Sequence, residues 1–164
     1  MIEAYLDIET TGLSAREDAI TVVGVCLSEG FDQTLVQLVG TEVTRKNLLK
    51  VLHGVDVIYT YNGSRFDMPF IAAALGINLE AIFKHHDLML DCWRHNLYGG
   101  FKAVEIKLGI FRELKGLDGW DAVKLWWQYL YHGDEVALDT LLKYNAEDVL
   151  NLKELKNRLG VGLH

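Results

Sequence analysis

The N-terminal stretch of the chain alternates between two kinds of residue. Apolar side chains occupy the even positions from 2 to 8, and polar or aromatic side chains occupy the odd positions from 3 to 9. A period of two predicts a half-buried β-strand. Successive side chains of a strand point to opposite faces, so Asp7 and Glu9 are expected on one face, roughly 7 Å apart.

Three later segments have the composition of strands, and one more has room for a strand. Residues 19–27 are apolar and β-branched, which is typical of a buried strand, and residues 33–39 alternate again. The turn at Gly30 makes these two segments a predicted hairpin. Residues 55–61 form the fourth predicted strand, and the ambiguous segment 82–90 has room for a short one.

Helical spacing of apolar residues dominates the rest of the chain. Thr41 is the expected N-cap of the first helix, and Gly76 and Gly109 are the expected C-terminal ends of two others. The predicted helices cover residues 43–52, 65–75, 91–97, 101–108, 121–131 and 134–159.

The order of these elements predicts the architecture. Strands come first and helices follow, which favours an α/β fold: one mixed sheet of about five strands, with an antiparallel hairpin near its start and helices on its flanks. The pattern is not interrupted by a linker, an internal repeat or a low-complexity segment. Residues 1–164 are therefore expected to form a single domain.

Composition narrows the class of protein. Half of the 164 residues are hydrophobic and about a quarter are charged, which excludes disorder and predicts a globular domain. No apolar run approaches the ~20 residues that a membrane span needs, and no secretory signal precedes the first strand, so no membrane association is expected. Cys26 and Cys92 are far apart and are expected to be free thiols in a reducing compartment, the cytoplasm.

The formal net charge of −7 argues against a broad nucleic-acid-binding surface. It is compatible with an enzyme that binds a few nucleotides through local lysines and arginines. Bound divalent metal would cancel part of the negative charge.

Candidate chemistry begins with Asp7 and Glu9. Two carboxylates held that close repel each other unless a cation lies between them, although the same pattern also fits the solvated face of an antiparallel strand. A second candidate, Asp67, follows the fourth strand, and ligands gather where the strands of an open α/β sheet end. The alternative for Asp67 is a capping box with Ser64 at the start of a helix.

Neighbours of Asp67 and one lysine are candidates for substrate contact. Asn62 is either a turn residue or a donor to a phosphate or sugar, and Phe66 is either a core residue or a platform for a base. Arg65 and Lys102 are candidates for contacts with backbone phosphates, and each is alternatively a solvated surface charge.

The third carboxylate candidate lies on the long final helix. One helical stripe of this helix is apolar or aromatic apart from a single aspartate, and it comprises Leu141, Tyr144, Asp148, Leu152, Leu155 and Leu159. A carboxylate on a core-facing stripe is costly unless it is paired or bound to metal. Tyr144 lies four residues before Asp148 and therefore on the same face, whereas Glu147 is expected to be solvated. The alternative interpretation is a surface helix whose buried stripe contains other positions than these, so that Asp148 is solvated.

Three ordered motifs carry a resemblance to a known family. They are Asp7-Ile8-Glu9, Asn62 followed by Phe66-Asp67, and Tyr144 followed by Asp148. This set resembles the motifs of the DEDD superfamily of 3′–5′ exonucleases, which have the ribonuclease H-like fold. A tyrosine four residues before the last aspartate matches the tyrosine subclass, and residues 120–152 look like a subgroup of predicted ribonuclease H-like exonucleases.

The resemblance implies a two-metal mechanism. Hard oxygen ligands suit Mg²⁺ or Mn²⁺. Two such ions would be bound by Asp7, Glu9, Asp67 and Asp148. The hydroxyl of Tyr144 would orient the attacking water by a hydrogen bond, because its unperturbed pKa of about 10 makes it a poor base. The family also implies that the terminal nucleotide contacts Thr10, Thr11 and Leu13.

The predicted function is a metal-dependent 3′–5′ exonuclease that hydrolyses phosphodiester bonds of single-stranded DNA or RNA. Two alternatives stay open: a non-catalytic nucleic-acid-binding module of the same fold, and an endonuclease that acts on hybrid or branched nucleic acid. A protein partner that recruits the enzyme to its substrate is compatible with this function.

Overall fold

A computed structural model describes residues 1–162 of the chain. In this part of the chain there are five strands and seven α-helices, with a short 3-10 helix at Gly40–Glu42. The strands are β1 (Ile2–Thr10), β2 (Ile20–Glu29), β3 (Asp32–Val39), β4 (Val57–Thr60) and β5 (Lys84–Asp87). The helices are α1 (Arg45–Val51), α2 (Asp67–Leu75), α3 (Leu79–Ile82), α4 (Leu88–Arg94), α5 (Phe101–Leu108), α6 (Gly119–His132) and α7 (Glu135–Leu159).

The five strands form one mixed sheet in the order β3-β2-β1-β4-β5. β2 pairs antiparallel with β1 and β3, and β4 pairs parallel with β1 and β5. The predicted mixed sheet with an antiparallel hairpin is therefore confirmed. The register of β1 against β2 shifts between Glu9 and Thr10, at the end of β1.

β1 is covered on both faces, so the expectation of a half-buried strand was wrong. Its even-numbered residues pack against side chains of α1 and α2, such as Leu48 and Phe70. On the opposite face, Tyr5 packs with Val149 and Leu152 of α7. The long helix α7 crosses this second face, and the carboxylates of Asp7, half-buried, and Glu9, buried, therefore face the helix.

Helix α1 begins later than predicted. The expected N-cap, Thr41, lies inside the 3-10 helix, whose turn is stabilised by the Glu42 carboxylate accepting from the backbone N–H of Val39. Thr44 is the N-cap instead, because its hydroxyl accepts from the N–H of Asn47 at 3.1 Å. The prediction named only Thr41, and the 3-10 turn closed by Glu42 moves the start of the helix to Thr44.

Helix α4 begins earlier than predicted. Asp87 ends β5 and its carboxylate accepts from the N–H of Met89 at 3.1 Å, which starts the helix at Leu88. The same carboxylate accepts from the N–H groups of Asn62 and Ser64. One buried side chain thus fixes the end of β5, the start of α4 and the turn that follows β4.

Helix ends at glycine agree with the predictions. Gly76 and Gly109 both have the left-handed conformation, with φ of 66° and 67°.

None of the helices in residues 1–162 combines the length and the apolarity that crossing a lipid bilayer requires. Cys26 and Cys92 are both free and buried.

Candidate metal centre and substrate cleft

Three carboxylates from two elements meet where β1 ends. Asp7 and Glu9 project from the same face of β1, and α7 brings Asp148 against them. One carboxylate oxygen from each of the three residues lies within 4.8 Å of the others. The alternation of side chains along β1 explains why Asp7 and Glu9 lie on one face, and the buried stripe of α7 explains why Asp148 faces them.

Asp7 and Glu9 pair with no basic side chain among the described residues, whereas Glu3, nearer the start of β1, pairs with Lys156. Burial and repulsion from Asp148 and Glu9 raise the pKa of Asp7 well above its usual range. Burial and repulsion from Asp148 also raise the pKa of Glu9 to about 8. One oxygen of Glu9, Oε1, is buried and makes no hydrogen bond. Crowded, oxygen-only donors of this kind fit a hard divalent cation such as Mg²⁺ or Mn²⁺.

Asp67 lies next to this group and not within it. It is the first residue of α2, and its Oδ2 accepts from the backbone N–H of Ile8 at 3.1 Å. Burial raises its pKa to about 7, although this hydrogen bond lowers it in part. The capping box with Ser64 is not formed, because Phe66 is the N-cap and the N–H of Ser64 donates to Asp87.

Asp148 differs from the other acids because it has a buried cationic partner. Arg112, in the loop between α5 and α6, donates from Nη2 to Oδ1 of Asp148 at 2.6 Å. The guanidinium also donates to both carboxylate oxygens of Glu105, at 2.9 to 3.1 Å. Both Arg112 and Glu105 are buried. Sequence reasoning missed them, since neither lies in a motif.

Glu147 is half-buried, so the expectation that it is solvated was wrong. Its two carboxylate oxygens accept from the backbone N–H groups of Glu113 and Leu114, at 2.7 and 3.0 Å. These hydrogen bonds attach the loop that carries Arg112 to α7. Glu147 therefore helps to hold Arg112 beside Asp148.

Tyr144 lies one helical turn before Asp148 and is buried. Burial and repulsion from the nearby carboxylates raise its pKa well above the usual value, so its hydroxyl stays protonated. Nζ of Lys102 lies 4.6 Å from the centre of the tyrosine ring. A protonated hydroxyl at this place is a hydrogen-bond donor and a poor general base.

A buried amide network fixes α7 against β1. Nδ2 of Asn145 donates to the backbone carbonyl of Asp7 at 3.2 Å, and Nε2 of Gln37 donates to Oδ1 of Asn145 at 3.0 Å. Gly24 is required below this network, because a Cβ there would overlap the carboxamide of Asn145. Sequence reasoning missed this network as well.

A cleft of about 370 Å³ opens above the acids. Of the predicted substrate-binding residues, Thr10, Leu13, Phe66 and Lys102 line it. Its walls also contain three aromatic residues that sequence reasoning did not single out, namely Tyr61, Phe101 and Trp120. Tyr61 and Phe101 are stacked, with ring centres 5.1 Å apart.

The other three predicted contact residues lie outside the lining of the cleft. The hydroxyl of Thr11 accepts from the N–H of Ala19. The backbone of Asn62 donates to Asp87, and the guanidinium of Arg65 lies 5.5 Å from the ring centre of Trp93. Each side chain or backbone group thus takes part in local structure.

Comparison with known proteins identifies the family. The family model of the RNase_H superfamily matches residues 4–160, and the chain belongs to this family. The ribonuclease H-like fold expected from the motifs is therefore confirmed. A search of curated proteins finds no significant match.

Solved structures share this fold at low sequence identity. The family B DNA polymerase of the archaeon Pyrobaculum calidifontis is 18% identical, with a TM-score of 0.76, over 97% of this chain and 24% of the polymerase. NrnC of Brucella melitensis bound to pGG is 24% identical, with a TM-score of 0.65, over 96% of this chain and 71% of NrnC. NrnC of Brucella melitensis with bound Mg²⁺ is 19% identical, with a TM-score of 0.51, over 98% of this chain and 85% of that NrnC chain. The chain thus spans about a quarter of the polymerase.

Proposed function

We propose that this protein is a metal-dependent 3′–5′ exonuclease that hydrolyses phosphodiester bonds of single-stranded DNA or RNA. The observation that carries the proposal is the meeting of Asp7, Glu9 and Asp148, with oxygens within 4.8 Å of one another, on the floor of a cleft with aromatic walls. Membership of the RNase_H superfamily supports it, as do fold relatives solved with pGG and with Mg²⁺.

The metal ligands in this proposal are Asp7, Glu9 and Asp148, with Asp67 beside them. They would hold two ions of Mg²⁺ or Mn²⁺, which supply an activated water and neutralise charge on the attacked phosphate. Among the described residues, Asp148 is the one of these four carboxylates with a basic partner, Arg112, so the set keeps an excess of negative charge that favours cation binding. The raised pKa values of Asp7 and Glu9 mean that metal binding competes with protons.

The protein's own side chains then position the substrate. Tyr144 offers a protonated hydroxyl that orients water, and Lys102 places a positive charge beside it for a phosphate. Phe66 and Phe101 provide apolar faces on which the terminal base can stack. A cleft of about 370 Å³ is in the size range of sites for small ligands, which favours a strand end over a duplex.

Single-stranded nucleic acid is the proposed partner, and the net charge of −7 keeps non-specific affinity low. A weakly binding enzyme of this kind benefits from a protein partner that recruits it. The free, buried thiols of Cys26 and Cys92 support a reducing compartment such as the cytoplasm.

The test is a time course on 5′-labelled single-stranded DNA and RNA with Mg²⁺, Mn²⁺ or EDTA. Wild type is compared with Asp148→Asn and with Asp139→Asn, a matched control at an exposed position of the same helix. We expect a ladder that shortens from the 3′ end, is abolished by EDTA and by Asp148→Asn, and is retained in Asp139→Asn.

Other outcomes separate the alternatives. Cleavage of a closed circular substrate would indicate an endonuclease. Tight binding of labelled oligonucleotides without products in Mn²⁺ would indicate a non-catalytic module. Full activity of Asp148→Asn would contradict the proposed site.

A further inference from the structure

A second groove adjoins the acidic cleft. It has a volume of about 530 Å³ and lies along the C-terminal half of α5 and the loop that follows. Lys102 lines both the groove and the cleft. The two cavities are therefore neighbours on one surface, with a lysine at their boundary.

The groove exposes apolar side chains beside a lysine. Phe111 is 74% exposed and Ile106 is 82% exposed, and Nζ of Lys115 lies 6.0 Å from the centre of the Phe111 ring. Exposed aromatic rings next to cations are the usual platforms for bases of single-stranded nucleic acid.

The charge of the groove is opposite to that of the whole chain. Its charged lining residues are Lys102, Glu105, Arg112 and Lys115. Because Arg112 is already paired with Glu105 and Asp148, Lys102 and Lys115 are the cations left for a ligand. In a protein of net charge −7, this local excess selects an anion.

The loop between α5 and α6, which carries Phe111, is held in place before any ligand binds. The backbone carbonyl of Phe111 accepts from Nδ2 of Asn151 at 3.1 Å. The two residues after Arg112 are held by the carboxylate of Glu147. A preformed platform costs little ordering entropy when it binds a base.

We propose that this groove is a second nucleotide subsite for the strand whose 3′ end occupies the acidic cleft. Lys102 and Lys115 bind phosphates, and Phe111 stacks with a base upstream of the scissile bond. The inference rests on the proposed exonuclease function and narrows its substrate class to oligonucleotides longer than a dinucleotide.

Steady-state kinetics on 5′-labelled strands of two, four and seven nucleotides test this proposal. Wild type is compared with Phe111→Ala and with Phe31→Ala, a control for a fully exposed phenylalanine at the β2–β3 turn. In wild type, we expect KM to fall with length. Phe111→Ala is expected to raise the KM of the heptamer relative to that of the dimer by about 5- to 150-fold, the range for loss of one stack. Phe31→Ala is expected to leave this ratio unchanged.

A salt series tests the phosphate contact. We expect Lys115→Gln to reduce the slope of log affinity against log salt by roughly 0.7 for the heptamer, as for loss of one phosphate contact on a single strand. Lys46→Gln, at an exposed position of α1, is the charge control and should retain the wild-type slope.

Several results would overturn the subsite. KM that does not depend on length, or an equal effect of Phe111→Ala on dimer and heptamer, would do so. Damage to the metal centre changes both substrates alike, so the ratio separates the two proposals. If no variant cleaves any strand, fluorescence anisotropy of a labelled heptamer decides: weaker binding by Phe111→Ala than by Phe31→Ala supports the groove, and equal binding refutes it.

Discussion

The two sides of the acidic cluster are stabilised in different ways. On β1, Asp7 and Glu9 are crowded without a basic partner, and their pKa values are raised. On α7, Asp148 is only 2.6 Å from a buried guanidinium. The α7 side is electrostatically complete in the folded chain, whereas the β1 side gains its counter-charge only from a proton or a cation. Asp7 and Glu9 therefore need a metal ion to be stable as charged groups, whereas Asp148 is already stabilised by Arg112.

The largest expected effect comes from breaking the α7 side. Arg112→Met removes the cation and leaves Glu105 and Asp148 buried without it, which we expect to cost about 3–5 kcal/mol in the free energy of unfolding. Urea denaturation measures this cost. Arg94→Met is the control, since it removes an exposed arginine that lies 3.4 Å from its partner Asp91 and should cost less than about 0.5 kcal/mol. A loss below about 1 kcal/mol in Arg112→Met would show that the pair is dispensable.

The β1 side is expected to make stability depend on pH and metal. The folded-state pKa values of Glu9, about 8, and Asp67, about 7, exceed their ordinary values of 4.5 and 3.8. The folded protein therefore binds protons more tightly than the unfolded chain, and this contribution is complete below about pH 4 and is lost as pH rises towards 8. In EDTA, Tm should fall by several degrees between pH 5.5 and 8.5, at about 2–4 °C per kcal/mol.

Metal should reverse this loss. Mg²⁺ or Mn²⁺ binds the ionised carboxylates, so the stabilisation by metal should grow as pH rises over the same range. Thermal melts with and without metal measure it. A Tm in EDTA that is flat with pH, or a metal effect that shrinks as pH rises, would contradict unpartnered acids on β1.

The smallest expected effect comes from relieving the β1 side. Asp7→Asn removes one of the crowded carboxylates and should stabilise the metal-free protein at pH 8 by an amount on the order of 1 kcal/mol, the usual size of a single-substitution effect, because burial and neighbouring acids disfavour a charged Asp7. The same substitution should abolish the stabilisation by Mn²⁺. Asp139→Asn, on the exposed face of α7, should change neither quantity. Destabilisation of Asp7→Asn in EDTA would indicate a hidden cationic partner.

Much of the fold follows from patterns that span only a few residues. β1 and α5 lie where period and caps placed them, and the buried stripe of α7 was assigned correctly because Leu141, Tyr144 and Asp148 share one helical face. The predicted helix starts are wrong where a side-chain hydrogen bond moves the N-cap, as from Thr41 to Thr44. Local patterns report which residues are apolar, and they do not report which polar partner is nearby.

Periodicity and capping residues predict most of the elements, the mixed sheet and the acids at the end of β1 and on α7, because strand and helix periods act over short distances. The folded structure alone shows that Arg112 pairs with Asp148 across 36 residues of chain, and that Asn145 contacts Asp7 across 138. It also placed Trp120 in the wall of the cleft. Such contacts depend on how helices cross the sheet, and no residue spacing along the chain encodes that crossing.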